Sequence, residues 1–240
     1  MTRARLRALL VAMVLIAGAA IAVAVARQDR APAARPPAER PTLLLLTSLP
    51  LVFGENFSVD GGSRVMSALE TRYRVVPISV TDDADLAKGR LLLMAHPLAQ
   101  PAEDLVALDA WVRRGGRVLL LADPALDWPS QRPLGDPLRP PPMFTDTGLL
   151  GHWGLRLHLP DARGPQQRQL GGQRILTVSP GHLEGKCAIS ADELVAACRV
   201  GQGHVSIIAD ADFLNVEALD GSAQHNLDAL LAELAALEQR

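Results

Sequence analysis

The chain has few aromatic residues. Three Trp, one Tyr and four Phe make 3% of its 240 residues, too little material for the stacking platforms that grip bases or glycans. It also lacks a basic surplus where one would matter. Seven arginines fall in the first 40 residues, and residues 41–240 carry 17 basic against 24 acidic side chains, a formal charge of −7. A mildly acidic body does not seek phosphate backbones, which argues against nucleic acid as a partner. No Gly-x-Gly-x-x-Gly follows the first apolar run and no phosphate-binding loop occurs anywhere, so nucleotide binding has no support. A nucleophilic hydrolase or amidotransferase on an α/β sheet needs a Ser or Cys on a sharp strand-to-helix elbow. The two relevant junctions read His96-Pro97-Leu98-Ala99 and Asp123-Pro124-Ala125, and neither of the two cysteines follows a strand into a helix.

What the chain does have begins with an uncharged stretch, Ala8 to Ala26, preceded by Arg3, Arg5 and Arg7 and followed by Arg27 and Arg30. As a helix it would be roughly 28 Å long, close to the hydrocarbon thickness of a bilayer. Residues 1–27 are therefore expected to be a transmembrane anchor, with a cleaved signal segment as the alternative, since Ala22-Val23-Ala24 and Ala24-Val25-Ala26 fit a small-residue cleavage pattern. Either reading puts the amino terminus inside and the body on the exported, periplasmic side of the cytoplasmic (inner) membrane. Residues 28–41, rich in proline, read as a semi-rigid linker.

Residues 42–240 read as one α/β domain. Thr42–Thr47, Arg74–Val80, Arg90–Ala95 and Val118–Ala122 are apolar runs of strand length, the pattern of strands buried on both faces of a parallel sheet. Helical patterns separate them. One opens near Ser58-Val59-Asp60 and buries Val65, Met66, Leu69 and Tyr73; another starts at Pro101-Ala102-Glu103-Asp104, buries Leu105, Leu108, Trp111 and Val112, and stops at Gly115-Gly116. A long excursion from Ala125 to Pro142 holds six of the eighteen prolines and no periodicity, as a lid or interaction loop would. A small β insertion follows (Arg174–Val178, Gly185–Ile189, Leu194–Val200), then an apolar strand His204–Ala209 and an amphipathic helix Ser222–Leu237. The predicted architecture is three-layer and flavodoxin-like in outline, with a mostly parallel sheet.

Open α/β sheets keep their sites at the carboxyl ends of strands, where this chain places His96, Asp123, Asp210 and Asp212. Converging, one imidazole and three carboxylates could bind a metal or act as acid and base. Aspartates at strand-to-loop turns also cap backbone donors, and that is the expectation, with no catalytic residue, metal or cofactor assigned. Cys187 and Cys198 flank a turn at Ala191-Asp192-Glu193 on segments able to pair antiparallel. If they face each other, an exported chain would oxidise them; two separate buried thiols are the alternative. Asn226, early in the last helix, is placed to bond back to the Asp210–Asn215 loop.

Several segments together resemble a family. They are Leu91–Pro97, the helix Leu108–Val118 with its Gly115-Gly116 stop, Ala122-Asp123-Pro124, Leu149–Leu155 and Gly203–Asn215. In order and spacing they are similar to the auxiliary component of gliding-motility-type ABC transport systems, whose soluble domain resembles the class I glutamine-amidotransferase fold without its active site. The resemblance implies a membrane-anchored, non-catalytic accessory protein that meets an ABC permease and ATPase, binding a protein partner or substrate on the exported side. An envelope hydrolase or glycan-directed enzyme using His96 with the strand-end aspartates is the alternative reading, and a plain envelope structural protein a third.

Overall fold

The computed structural model describes residues 32–52, 63–219 and 222–240. The expected anchor, and the helix start expected near Ser58, lie outside the described residues. Among the described residues no helix is long and apolar enough to cross a membrane.

The apolar runs form β1 (Thr42–Thr47), β2 (Arg74–Pro77), β3 (Leu91–Ala95) and β4 (Arg117–Leu121), separated by α1 (Arg64–Glu70), α2 (Asp83–Leu86) and α3 (Ala102–Arg113). After the proline-rich excursion come α4 (Leu149–His152), β5 (Leu155–His158), β6 (Pro165–Leu170), β7 (Gln173–Val178), β8 (His182–Gly185), β9 (Ala188–Ile189), β10 (Val195–Val200), β11 (Gly203–Ile208) and α5 (Ala223–Glu238). The main sheet runs β2-β1-β3-β4-β11-β10-β9; the first five strands are parallel, and β10 runs antiparallel to both of its neighbours, β11 and β9. That order is the flavodoxin-like one, with its reversal between β1 and β3.

Both faces of the sheet are covered because both are apolar. Leu43 and Leu45 of β1 pack with Val65 and Leu69 of α1 and with Leu230 and Leu234 of α5. Leu44 and Leu46 point the other way, onto Leu108 and Val112 of α3 and Leu150 of α4. All four leucines are buried, each worth about 2 kcal/mol of transfer free energy.

The caps explain where the helices stop. Ser63 Oγ accepts from Met66 N at 3.2 Å, closing the start of α1. At the end of α3, Gly116 N donates to Trp111 O and Gly115 N to Val112 O, the paired bonds of a Schellman motif. Gly115 takes φ +105°, and a side chain on Gly116 would run into the Trp111 ring.

Four expectations need correcting. The strand expected over Gly185–Ile189 is instead the end of β8 at Gly185 and the separate β9, Ala188–Ile189, with a bend between them. β2 ends at Pro77, three residues early; Pro77 sits on an edge strand, where its missing N–H is tolerated, and the last bond to β1 is Ile78 N to Leu45 O at 2.9 Å. The acidic connection after it is α2, which Asp82 caps by accepting from Asp85 N. β6 has no counterpart in the sequence reading: Pro-Gln-Gln-Arg-Gln-Leu has no apolar alternation, and its pairing with β7 holds it.

Residues 32–41 of the expected linker are docked on the body. Arg35 N donates to Thr71 O and Arg74 N to Pro41 O, at 2.9 Å each. The Arg35 guanidinium pairs with Glu238 at 3.0 Å and lies over the Tyr73 ring, which Arg72 also approaches. Burial, together with the negative charge of Glu238, pushes the Tyr73 hydroxyl up to about 12.

Candidate functional site

Every strand-end residue singled out in the sequence is buried. His96, Asp123 and Asp210 are completely inaccessible and Asp212 is 1% exposed. They do not form one constellation. The three aspartates, at the exits of β4 and β11, bring carboxylate oxygens within 4.8 Å of one another, and His96 is not part of that group.

β4 and β11 are parallel neighbours in register, Leu121 opposite Ile208, so their exits leave the sheet side by side. Asp123 accepts from Ala125 N through one oxygen and from Ala211 N through the other, both at 2.8 Å, tying its own turn to the neighbouring one. Asp210 Oδ2 accepts from the Thr177 hydroxyl at 2.6 Å and from Phe213 N at 3.2 Å. Asp212 Oδ2 accepts from Asp127 N at 2.8 Å. Asp210 Oδ1 and Asp212 Oδ1 are buried without a hydrogen-bond partner. Crowding of like charge away from water shifts all three. Burial raises Asp123 to about 6. Burial and the Asp123 charge raise Asp212 to about 8, and the same two causes, in that order, push Asp210 well above the usual carboxylate range.

His96 does different work at the end of β3. It continues the ladder, donating its N–H to Leu121 O at 3.0 Å. Its φ is +48°, in the left-handed region a residue with a side chain rarely visits. That turn sends Nε2 to Pro141 O at 2.9 Å, while Ser48 Oγ donates to the His96 carbonyl. Burial holds the imidazole below its ordinary pKa, so it is neutral near pH 7, with Nε2–H as the donor to Pro141 and a bare, unpartnered Nδ1.

The proline-rich excursion is therefore stapled at both ends by strand-end groups. Asp212 holds Asp127 near its start. His96 holds Pro141 near its finish, and Phe144 N returns to Asp123 O at 2.6 Å. Between these staples the excursion passes over the ends of β1 and β2 and helps enclose a cleft of about 440 Å³. Its walls include Leu49, Pro50, Ile78, Leu98, Pro137 and Leu138, with Ser79 and Arg132 as polar members. The Thr47 hydroxyl beside it is already spent on Ala95 O and Leu49 N. Leu98 and Leu138 stand 52% and 62% exposed.

Cys187 and Cys198 are joined by a disulfide, with Cα atoms 4.9 Å apart. β9 and β10 pair with Ala188 opposite Ala197, which puts the two cysteines directly across from each other. Asn226 makes the back-bond its position suggested, Nδ2 to Phe213 O at 2.8 Å, and also pairs with both backbone groups of Leu176. Sequence reasoning missed Thr177 and the cleft. Thr177 had a signal, because in β7 the buried positions alternate as Gln173, Ile175 and Thr177. The cleft had none, being built from four separate segments.

Comparison with known proteins comes down to fold and family. The mmIFT52 N-terminal domain is similar at a TM-score of 0.51 and 13% identity, covering 81% of this chain and 97% of that one. At that identity the likeness speaks for the fold alone. An exo-beta-1,4-mannosidase from Opitutaceae bacterium strain TAV5 (TM-score 0.47, 13% identity) is matched over 82% of this chain and only 36% of its own. A putative ThuA-like protein from Parabacteroides merdae ATCC 43184 (TM-score 0.37, 13% identity) is matched over 83% and 91%. Neither supports a functional argument. No curated protein matches the sequence. The family model described as an ABC-type uncharacterized transport system matches residues 40–159, half of the chain, from β1 through the stapled excursion to β5, and the protein belongs to that family.

Proposed function

We propose that the chain is a membrane-anchored, non-catalytic accessory component of an ABC-type transport system, of the gliding-motility kind. Its soluble body lies on the exported side of the cytoplasmic membrane. It binds a protein partner or substrate across the strand ends and the excursion between Ala125 and Pro142.

One observation carries this reading. The polar groups at the strand ends, where an α/β enzyme keeps its chemistry, point inward and hold the excursion in place, whereas the surface offered to solvent beside them is apolar. His96, Asp123, Asp210 and Asp212 are buried, so a substrate would not reach them without displacing the loop. The cleft, with Leu98 and Leu138 on its lip, is open. Family membership supplies the transport context, and the disulfide fits an oxidising compartment.

The test is affinity purification of the tagged full chain from membranes. An ABC ATPase and permease are expected to co-purify, and Leu98→Asp with Leu138→Asp should abolish their recovery without changing the melting temperature. Recovery of the chain free of any transporter subunit would refute the assignment. Hydrolytic turnover lost in His96→Ala at unchanged stability would replace it with the enzyme reading.

A further inference from the structure

The three buried aspartates present a charge problem. Among the described residues no arginine, lysine or histidine forms an ion pair with Asp123, Asp210 or Asp212. Uncompensated charge in the interior costs several kcal/mol per ion. Their neighbours are built for anions. Ala125 N, Ala211 N, the Thr177 hydroxyl, Phe213 N and Asp127 N all donate to these carboxylates, and donors of that kind favour the charged form. The same bonds fix the orientation of each carboxylate, as the outer partners of a metal ligand do.

A second observation concerns what is left over. Once those donors are counted, Asp210 Oδ1 and Asp212 Oδ1 have no partner, although Asp210 is fully buried and Asp212 is 1% exposed. Buried polar atoms in folded proteins are overwhelmingly satisfied. Two orphaned oxygens on adjacent members of one carboxylate group indicate a positive occupant that both would share.

We propose that Asp123, Asp210 and Asp212 bind a calcium ion between the exits of β4 and β11. The donor set is all oxygen, which selects a hard cation over zinc or copper. One atom from each carboxylate lies within 4.8 Å of the others, close enough for a single ion with bonds of about 2.4 Å, in the calcium range. Enclosure points the same way, since magnesium gives up its waters reluctantly and would need them here. The ion would lock the Asp123-Pro124-Ala125 turn to the Asp210-Ala211-Asp212 turn, and through Asp127 would anchor the start of the excursion.

The experiment uses the purified full chain, exhaustively dialysed without calcium and then supplied with calcium chloride. Elemental analysis should find about one calcium per chain. The melting temperature should rise by roughly 5–10 °C when calcium is a hundredfold above its dissociation constant. Asp212→Asn should lose the metal and the thermal response, while Asp161→Asn, at an exposed loop acid, should keep both. Wild-type protein without bound calcium and with a calcium-independent melting temperature would overturn the proposal whatever the variants do, and would assign the neutralisation to protons. Stoichiometric zinc or magnesium in its place would overturn the choice of ion.

Discussion

Reducing the disulfide gives the most direct measure of what the sheet edge depends on. Cys187 and Cys198 close a loop of separation 11. In the chain-entropy treatment a loop of that size removes about 9 cal/mol/K from the unfolded ensemble, worth about 3 kcal/mol at 25 °C. The bond ties β9, a two-residue edge strand, to β10, beside the backbone bonds Ser190 N to Val195 O and Lys186 N to Gly154 O. Reduction with dithiothreitol should therefore lower stability by about 3 kcal/mol in equilibrium urea unfolding. For a body of this size the melting temperature should fall by roughly 6–12 °C. Cys187→Ala combined with Cys198→Ala should lose a little more, because Cys198 is 5% exposed and packs in the core under β10. Alkylation of protein taken from the cell envelope should add mass at both cysteines only after reduction. If oxidised and reduced wild type unfold at the same urea concentration with the same slope, the entropic argument fails. If the thiols are freely alkylated in the native envelope fraction, the inference of an oxidising compartment fails.

Tyr73 predicts an alkaline effect. Its hydroxyl, raised to about 12 from an ordinary 10, contributes about 2–3 kcal/mol that is fully present below pH 10 and disappears as pH rises from 10 to 12; the difference in unfolding free energy between wild type and Tyr73→Phe should narrow over that window by that amount. Asn226→Ala should cost about 2–4 kcal/mol by stranding Leu176 N–H, Leu176 O and Phe213 O inside the protein, and a change below 1 kcal/mol by urea titration would contradict this role. Gly171→Ala should cost about 1–3 kcal/mol, because φ is +57° and a Cβ would stand 2.7 Å from Ala229 O. Gly135→Ala, also at positive φ but with nothing within 4 Å, should cost less, and equal losses would show that packing on α5 is not the cause.

How much of this could be read from the residues depended on what each element uses to hold itself together. β1, β3 and β4 are legible because their burial on both faces demands unbroken apolar runs, β11 because its run is mostly apolar, and the Gly115-Gly116 stop because its conformation excludes side chains. β6 was illegible for the opposite reason: five polar or proline residues followed by one leucine are held by β7 and by the Gly171-Gly172 turn resting on α5, and none of that is local. The end of β2 was misjudged because the apolar pattern runs on to Val80, past the last bond to β1, Ile78 N to Leu45 O. At the strand ends, sequence located the aspartates but not their partners. Thr177 reaches Asp210 from a strand 33 residues earlier, and Pro141 reaches His96 from 45 residues later.

The division of labour at the carboxyl rim follows from these pairings. A sheet of this order opens a crevice where the strand sequence reverses, between β1 and β3, and the cleft lies beside it, toward β2. Had β3, β4 and β11 presented free carboxylates or a free imidazole there, the rim would have had the makings of acid–base chemistry. Instead each polar group is tied to a loop, Asp123 and Asp210 to the turns after β4 and β11, Asp212 and His96 to the two ends of the excursion, and the atoms left over, Asp210 Oδ1, Asp212 Oδ1 and His96 Nδ1, are buried. The rim is thereby tied to the excursion and apolar on its outer lip, so under the proposed function its binding preferences would be set by leucine and proline side chains. Under that function, changes to the leucines should act on recognition alone, whereas changes to the aspartates should act on the loop and reach recognition only through it.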